Sequence, residues 1–106
     1  MTVSEFAKLL LDPDTKKIEG GWYFNSSGQK GYWANLYRDS VFFWYSVSAS
    51  DTEVSPGAVA QAIESNKRMV IREGLYFNSG GEEGYEATVK CGEHYYMLGE
   101  GKYKRR

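Results

Sequence analysis

The sequence predicts one α+β domain built from an α-β-β-β unit written twice. Two helices would pack on six mainly antiparallel strands forming one curved sheet or an open barrel, with an approximate internal twofold axis. Three observations lead there. The chain has 106 residues, the size of a single domain with one modest core. "GWYFNSSGQKGYWANL" from Gly21 returns as "GLYFNSGGEEGYEATV" from Gly74, an offset of 53, half the chain length. Between Ile18 and Ala34 ten of seventeen positions are identical to those 53 residues on, where chance gives about one. The period divides the chain into repeats 1–53 and 54–106 of a single domain.

Each element follows from local chemistry. Thr2 and Ser55 occupy matching positions and both read as helix N-caps. Thr2 has Glu5 three residues on, a capping box, and Ser55 is followed by Pro56, a favoured first helical residue. Phe6, Leu9 and Leu10 match Val59, Ala62 and Ile63 at the i, i+3, i+4 spacing of an amphipathic helix. Pro13 ends the first helix near Asp12. Three strands follow in each unit, over 18–25, 30–38 and 41–48, then over 69–78, 83–91 and 93–98. "NSSGQ" and "NSGGE" carry hairpin-turn chemistry, and "RDS" and "CGE" read as tighter connections.

The eight residues GWYFNSSG resemble the hairpin in the repeats of choline-dependent cell-wall-binding proteins. The resemblance ends there, because this chain has a longer period and only two copies.

Differences between the copies carry the functional reading. Tyr32, Ala34 and Leu36 match Tyr85, Ala87 and Val89 and alternate, so they form the shared core face. Between them the second copy has Glu86, Thr88 and Lys90, a solvated face, whereas the first has Trp33, Asn35 and Tyr37. The next strand, "VFFWYSV", is apolar on both faces. Whichever parity points inward, Phe42 and Trp44 or Phe43 and Tyr45 face outward beside Trp33 and Tyr37, and Tyr23 can join them. Eleven of the seventeen aromatic residues and all three tryptophans lie in the first half. Two readings stand side by side: an exposed aromatic interface, or a second core layer covered by residues 48–56 or a helix.

Little else carries chemistry. Cys91 and His94 have C-x-x-H spacing, but two ligands do not make a zinc site, and nothing orients the histidine for nucleophilic catalysis. The glycine-rich loop lacks the Lys-Ser/Thr of a P-loop. No catalytic residue, metal or cofactor is expected. The net charge of −1 removes any global attraction to nucleic acid or anionic membranes. A single cysteine and no long apolar run lead to an expected cytoplasmic protein.

The sequence therefore points to a non-enzymatic protein-binding module of inhibitor, immunity, antitoxin or anti-defence type. It would occlude a partner with Tyr23, Trp33, Asn35, Tyr37, Asp39, Phe43, Trp44 and Tyr45. Aromatic side chains would enter the partner's pockets while Asp39 and Asp51 meet its basic groups. A homodimer through the same face is a close variant. The alternatives are a single-stranded nucleic-acid binder using the strand aromatics, and a small-molecule or glycan site between the repeats.

Overall fold

The Thr2 hydroxyl accepts the Glu5 N–H (3.1 Å) while the Glu5 carboxylate accepts the Thr2 N–H (3.0 Å). This reciprocal box starts helix α1, Val3–Leu11. Asp12 turns extended ahead of Pro13, which ends it. Ser55 caps Ala58 in the same manner (3.2 Å), and Pro56 opens helix α2, Pro56–Glu64. Both helices are short and depend on their apolar stripes for stability. The computed structural model describes residues 1–39, 41–77 and 83–102.

The strands are β1 Lys16–Phe24, β2 Lys30–Arg38, β3 Val41–Val47, β4 Met69–Phe77, β5 Glu83–Cys91 and β6 His94–Lys102. They form one antiparallel sheet in the order β1-β2-β3-β6-β5-β4. Two three-stranded meanders thus meet at the β3–β6 pair. The sheet is open, with β1 and β4 as its edges.

Pairing is alike on the two sides. Lys16 pairs with Tyr37 and, 53 residues on, Met69 pairs with Lys90. Each edge ladder has one irregularity, between Lys17 and Glu19 and between Val70 and Arg72, which leaves Ile18 and Ile71 out of register. The tight turns also correspond. Asp39 (φ 55°) and Gly92 (φ 64°) hold the same left-handed position after β2 and after β5. The loop glycine Gly28 has φ 83°, as turn chemistry requires; its expected counterpart, Gly81, lies outside the described residues.

Both helices lie on one side of the sheet. Three cross-sheet rows face them: Trp22–Tyr32–Val47–Tyr96–Val89–Val70, then Gly20–Ala34–Tyr45–Leu98–Ala87–Glu73, then Lys17–Leu36–Phe43–Glu100–Tyr85–Leu75. The middles of these rows are buried with Phe6, Leu10, Val59 and Ile63 of the helices. The Phe6 ring meets Phe43 edge-on at 5.8 Å. The ends of the rows, on β1 and β4, reach past the helices and are exposed.

The core hydroxyls of Tyr32, Tyr45 and Tyr85 have partners, whereas the Tyr23 hydroxyl, on the other side of the sheet, is buried without one among the described residues. Tyr45 donates to the Val54 carbonyl. Tyr85 donates to Glu73 Oε2 (2.6 Å), and the same oxygen accepts the Val3 N–H (3.0 Å), tying the start of α1 to β4. Tyr32, at the matching place, meets the Lys17 ammonium instead. Strand β6 runs to Lys102, past the expected end at 98. Glycine weakens a strand interior, and Gly99 is required there by close approach of a ring, described next.

Candidate functional site

The side of the sheet away from the helices carries the residues that alternate with the core. On β2 these are Gly31, Trp33, Asn35 and Tyr37, which pair across β3 with Ser46, Trp44 and Phe42. On β6 they are Tyr95, Met97 and Gly99, paired to β3 and β5. The segment between β3 and α2 is drawn to the helix side by the Tyr45–Val54 bond. Neither it nor a helix covers this face. The second-layer reading of the first-half aromatics therefore falls.

The rings lie down on the sheet. A Cβ at Gly99 would sit 2.0 Å from the Trp44 indole, at Gly21 2.9 Å from the Trp33 indole, and at Gly31 2.3 Å from the Tyr23 ring. Each aromatic occupies the space a neighbouring glycine leaves empty, a cross-strand device that protects glycine backbone in a sheet. Trp33, Trp44 and Tyr23 are consequently half-buried by their own fold, each with one flank against backbone. Tyr37, Tyr95 and Met97 are exposed, and the Tyr37 and Phe42 rings touch at 5.0 Å.

Charge at this face is mostly neutralised within the chain. Asn35 donates to Glu19 (3.0 Å), Arg72 pairs with Glu86 (2.6 Å), and Lys90 sits over the Tyr95 ring (5.5 Å). Lys30 is turned to the helix side, 4.2 Å over Trp22. Arg38, at the end of β2, has its Nε 3.0 Å from Asp12 Oδ2, close enough to pair charges but off the line of a hydrogen bond.

Of the sequence-predicted residues, Tyr23, Trp33, Asn35, Tyr37 and Trp44 share this face. Asp39 is exposed in the turn at one end of β2, and Asp51 is exposed beyond the other end, where Ser50 N–H bonds the Lys30 carbonyl (2.9 Å). Phe43 and Tyr45 are corrected: they are 1% and 0% exposed beneath the helices and cannot meet a partner. The reason is the turn length. Arg38 pairs with Val41 across two residues, so Leu36 faces Phe43 and the pair shares the core side. Phe42 belongs to the face, as one of the two parities the sequence leaves open for β3, and Tyr95 and Met97 belong to it without having been expected. Counting the two-residue turn would have found Phe42. The same count across the turn after Cys91 puts Tyr95 opposite Lys90 and Met97 opposite Thr88, and the pairing of β3 with β6 joins them to the first half's face.

The Cys91–His94 pair closes the β5–β6 hairpin, with His94 Nδ1 2.9 Å from the Ser48 carbonyl. That bond turns the ring toward β3 as a strand tether. No cluster of three or more His, Cys, Asp or Glu residues able to hold a metal occurs among the described residues. Among the same residues, no helix is long and apolar enough to cross a membrane. The chain matches no protein-family model, no curated protein and no solved structure.

Proposed function

We propose that this protein is a non-enzymatic binding module that docks its helix-free face onto another protein and occludes it. The observation carrying this reading is the patch of Trp33, Tyr37, Phe42, Trp44, Tyr95 and Met97 on a face that no helix or loop among the described residues covers. Tryptophan and tyrosine are the residue types that dominate binding hot spots, and large apolar patches on a soluble surface mark interfaces. The Trp33 and Trp44 rings already lie against glycine backbone, so docking them costs little side-chain entropy. Asp39 and Asp51 flank the patch for basic groups of the partner. Self-association through the same face is a variant of this reading.

The matched register, the paired bulges and the equivalent turns at Asp39 and Gly92 support descent from a duplicated 53-residue α-β-β-β unit with a pseudo-twofold axis between β3 and β6. On that view one copy keeps a polar outer strand and the other has become the binding half.

A photo-crosslinking residue at position 37 in the native host tests the proposal, with position 61 on α2 as the control surface. Adducts with one partner protein are expected from position 37 and not from 61. Tyr37→Glu should then weaken that partner by about 2 kcal/mol or more, with an unchanged melting temperature. Adducts confined to position 61, or an unaltered affinity, overturn the reading. Titration with single-stranded RNA and DNA at two salt concentrations is the companion measurement. Tight binding that falls steeply with salt replaces the proposal with nucleic-acid binding.

A further inference from the structure

Strands β1 and β4 each pair on one side only. A free edge is a template for another strand, and proteins usually protect it with bulges, charges or proline. Here the protection is partial. The bulges at Ile18 and Ile71 disturb one end of each strand, while Glu19–Phe24 and Arg72–Phe77 run regularly, without proline. Large apolar side chains stand exposed along both edges: Phe24 at 69% on β1, Leu75 at 65% and Phe77 at 69% on β4.

The directions of the strands allow these edges to meet. In a six-stranded antiparallel sheet the two edge strands run in opposite senses, so β1 of one copy laid beside β4 of another is again antiparallel, with all helices on the same side. Carried into the next copy, each cross-sheet row supplies a defined neighbour. The row ending at Val70 meets Trp22, the row ending at Glu73 meets Gly20, and the row ending at Leu75 meets Lys17. Lys17 then lies diagonal to Glu73 on the helix side. On the open side Gly21 faces Arg72, which places Glu19 diagonal to Arg72. In the first of these rows apolar Val70 opposes Trp22, and both charge pairs are complementary. Diagonal neighbours in a sheet are within reach of long side chains. Twofold pairings do worse. With Ile18 out of register, pairing β1 with its own copy about Gly20 sets Lys17 against Trp22 and Lys16 against Tyr23 with no acidic diagonal neighbour, and pairing β4 about Glu73 sets that carboxylate against itself.

We infer that copies of this chain associate head to tail by adding β1 of one to β4 of the next, extending a single sheet. The contact is heterologous, so it propagates into rings or filaments. It uses the edges, and is independent of the partner proposed for the open face.

Light scattering coupled to size exclusion tests it with two edge variants, both built on exposed positions: Trp22→Lys with Phe24→Lys on β1, and Val70→Lys with Leu75→Lys on β4. Circular dichroism first confirms that both are folded. The unaltered chain should grow with concentration beyond twice its 12.0 kDa mass. Each variant alone should be monomeric. Mixed, they should form a one-to-one dimer and nothing larger, since one intact β1 and one intact β4 remain. Tyr37→Glu should assemble like the unaltered chain. The inference is overturned if the unaltered chain stays monomeric at millimolar concentration, if either variant alone dimerises, or if the mixture does not.

Discussion

Trp33 and Glu86 hold the same place in the pairing of their strands, opposite Gly21 and Gly74. The tryptophan folds across its glycine and fills it, while the glutamate leaves its glycine open and turns to Arg72. Beneath them Tyr32 and Tyr85 are both buried core phenols, yet one meets an ammonium and the other a carboxylate. Two halves of one sheet thus solve the same backbone problem with opposite chemistry. The backbone register fixes where a side chain points. It leaves open whether that position is filled by dispersion contacts or by charge, and this freedom lets one half become apolar outside without disturbing its core.

Alkaline pH gives the largest expected effect. Burial pushes the Tyr85 phenol well above its ordinary value, and its hydrogen bond to Glu73 adds to the shift. Burial raises Tyr45 and Tyr96 as well. The bond to Tyr32 raises Lys17. All four groups hold their protons more tightly when folded. Their contribution is complete below the unfolded values, near pH 10, and is lost as pH rises through the folded ones. A melting temperature flat between about pH 7 and 9 and falling steeply above about pH 10 is expected. Glu73→Gln should make that fall shallower, because Tyr85 then titrates closer to an unfolded phenol. An unchanged profile would detach Tyr85 from the carboxylate.

Removing the charged partners separates the halves next. Glu73→Ala deprives both the buried Tyr85 hydroxyl and the α1 N-terminus of an acceptor, and should cost about 2 kcal/mol. Lys17→Ala acts at an exposed ammonium, and solvent screening keeps its cost below about 1 kcal/mol. Urea denaturation of both variants checks the ordering, and equal losses would break the contrast.

The glycines give a smaller difference. At Gly21→Val the new side chain must displace the Trp33 indole, with an expected loss of about 1–2 kcal/mol. At Gly74→Val nothing among the described residues stands within 4 Å, and the change should be neutral or slightly stabilising. Quenching of tryptophan fluorescence by iodide should rise in the first variant as the indole lifts. The smallest effect is at the turn. Asp39 takes the left-handed conformation that Gly92 takes in the other half, so Asp39→Gly should stabilise by roughly 0.5–1 kcal/mol in a thermal melt.

Local chemistry in the chain was enough to locate every element. The caps at Thr2 and Ser55, the i, i+3, i+4 stripes and the alternation of Tyr32, Ala34 and Leu36 depend on neighbours within one turn or one strand, and such short-range constraints are written in order along the sequence. The separation of Trp33 and Tyr37 from the core face followed from the same alternation. What strand alternation left open was the parity of β3, because "RDS" has to be counted as a two-residue connection before Phe42 and Phe43 can be told apart.

The tertiary structure alone decided three things. Pairing β3 with β6 set Met97 opposite Ser46 and Gly99 opposite Trp44, contacts between residues about half a chain apart. Placing both helices on one side left the other side without a helix among the described residues, and that placement decides which face of β3, apolar on both, is core. Gly99 remained in a strand because Trp44 lies across it. Each is a long-range contact whose partner is far away in sequence, and the sequence order carries no record of which distant residue will fill a given space.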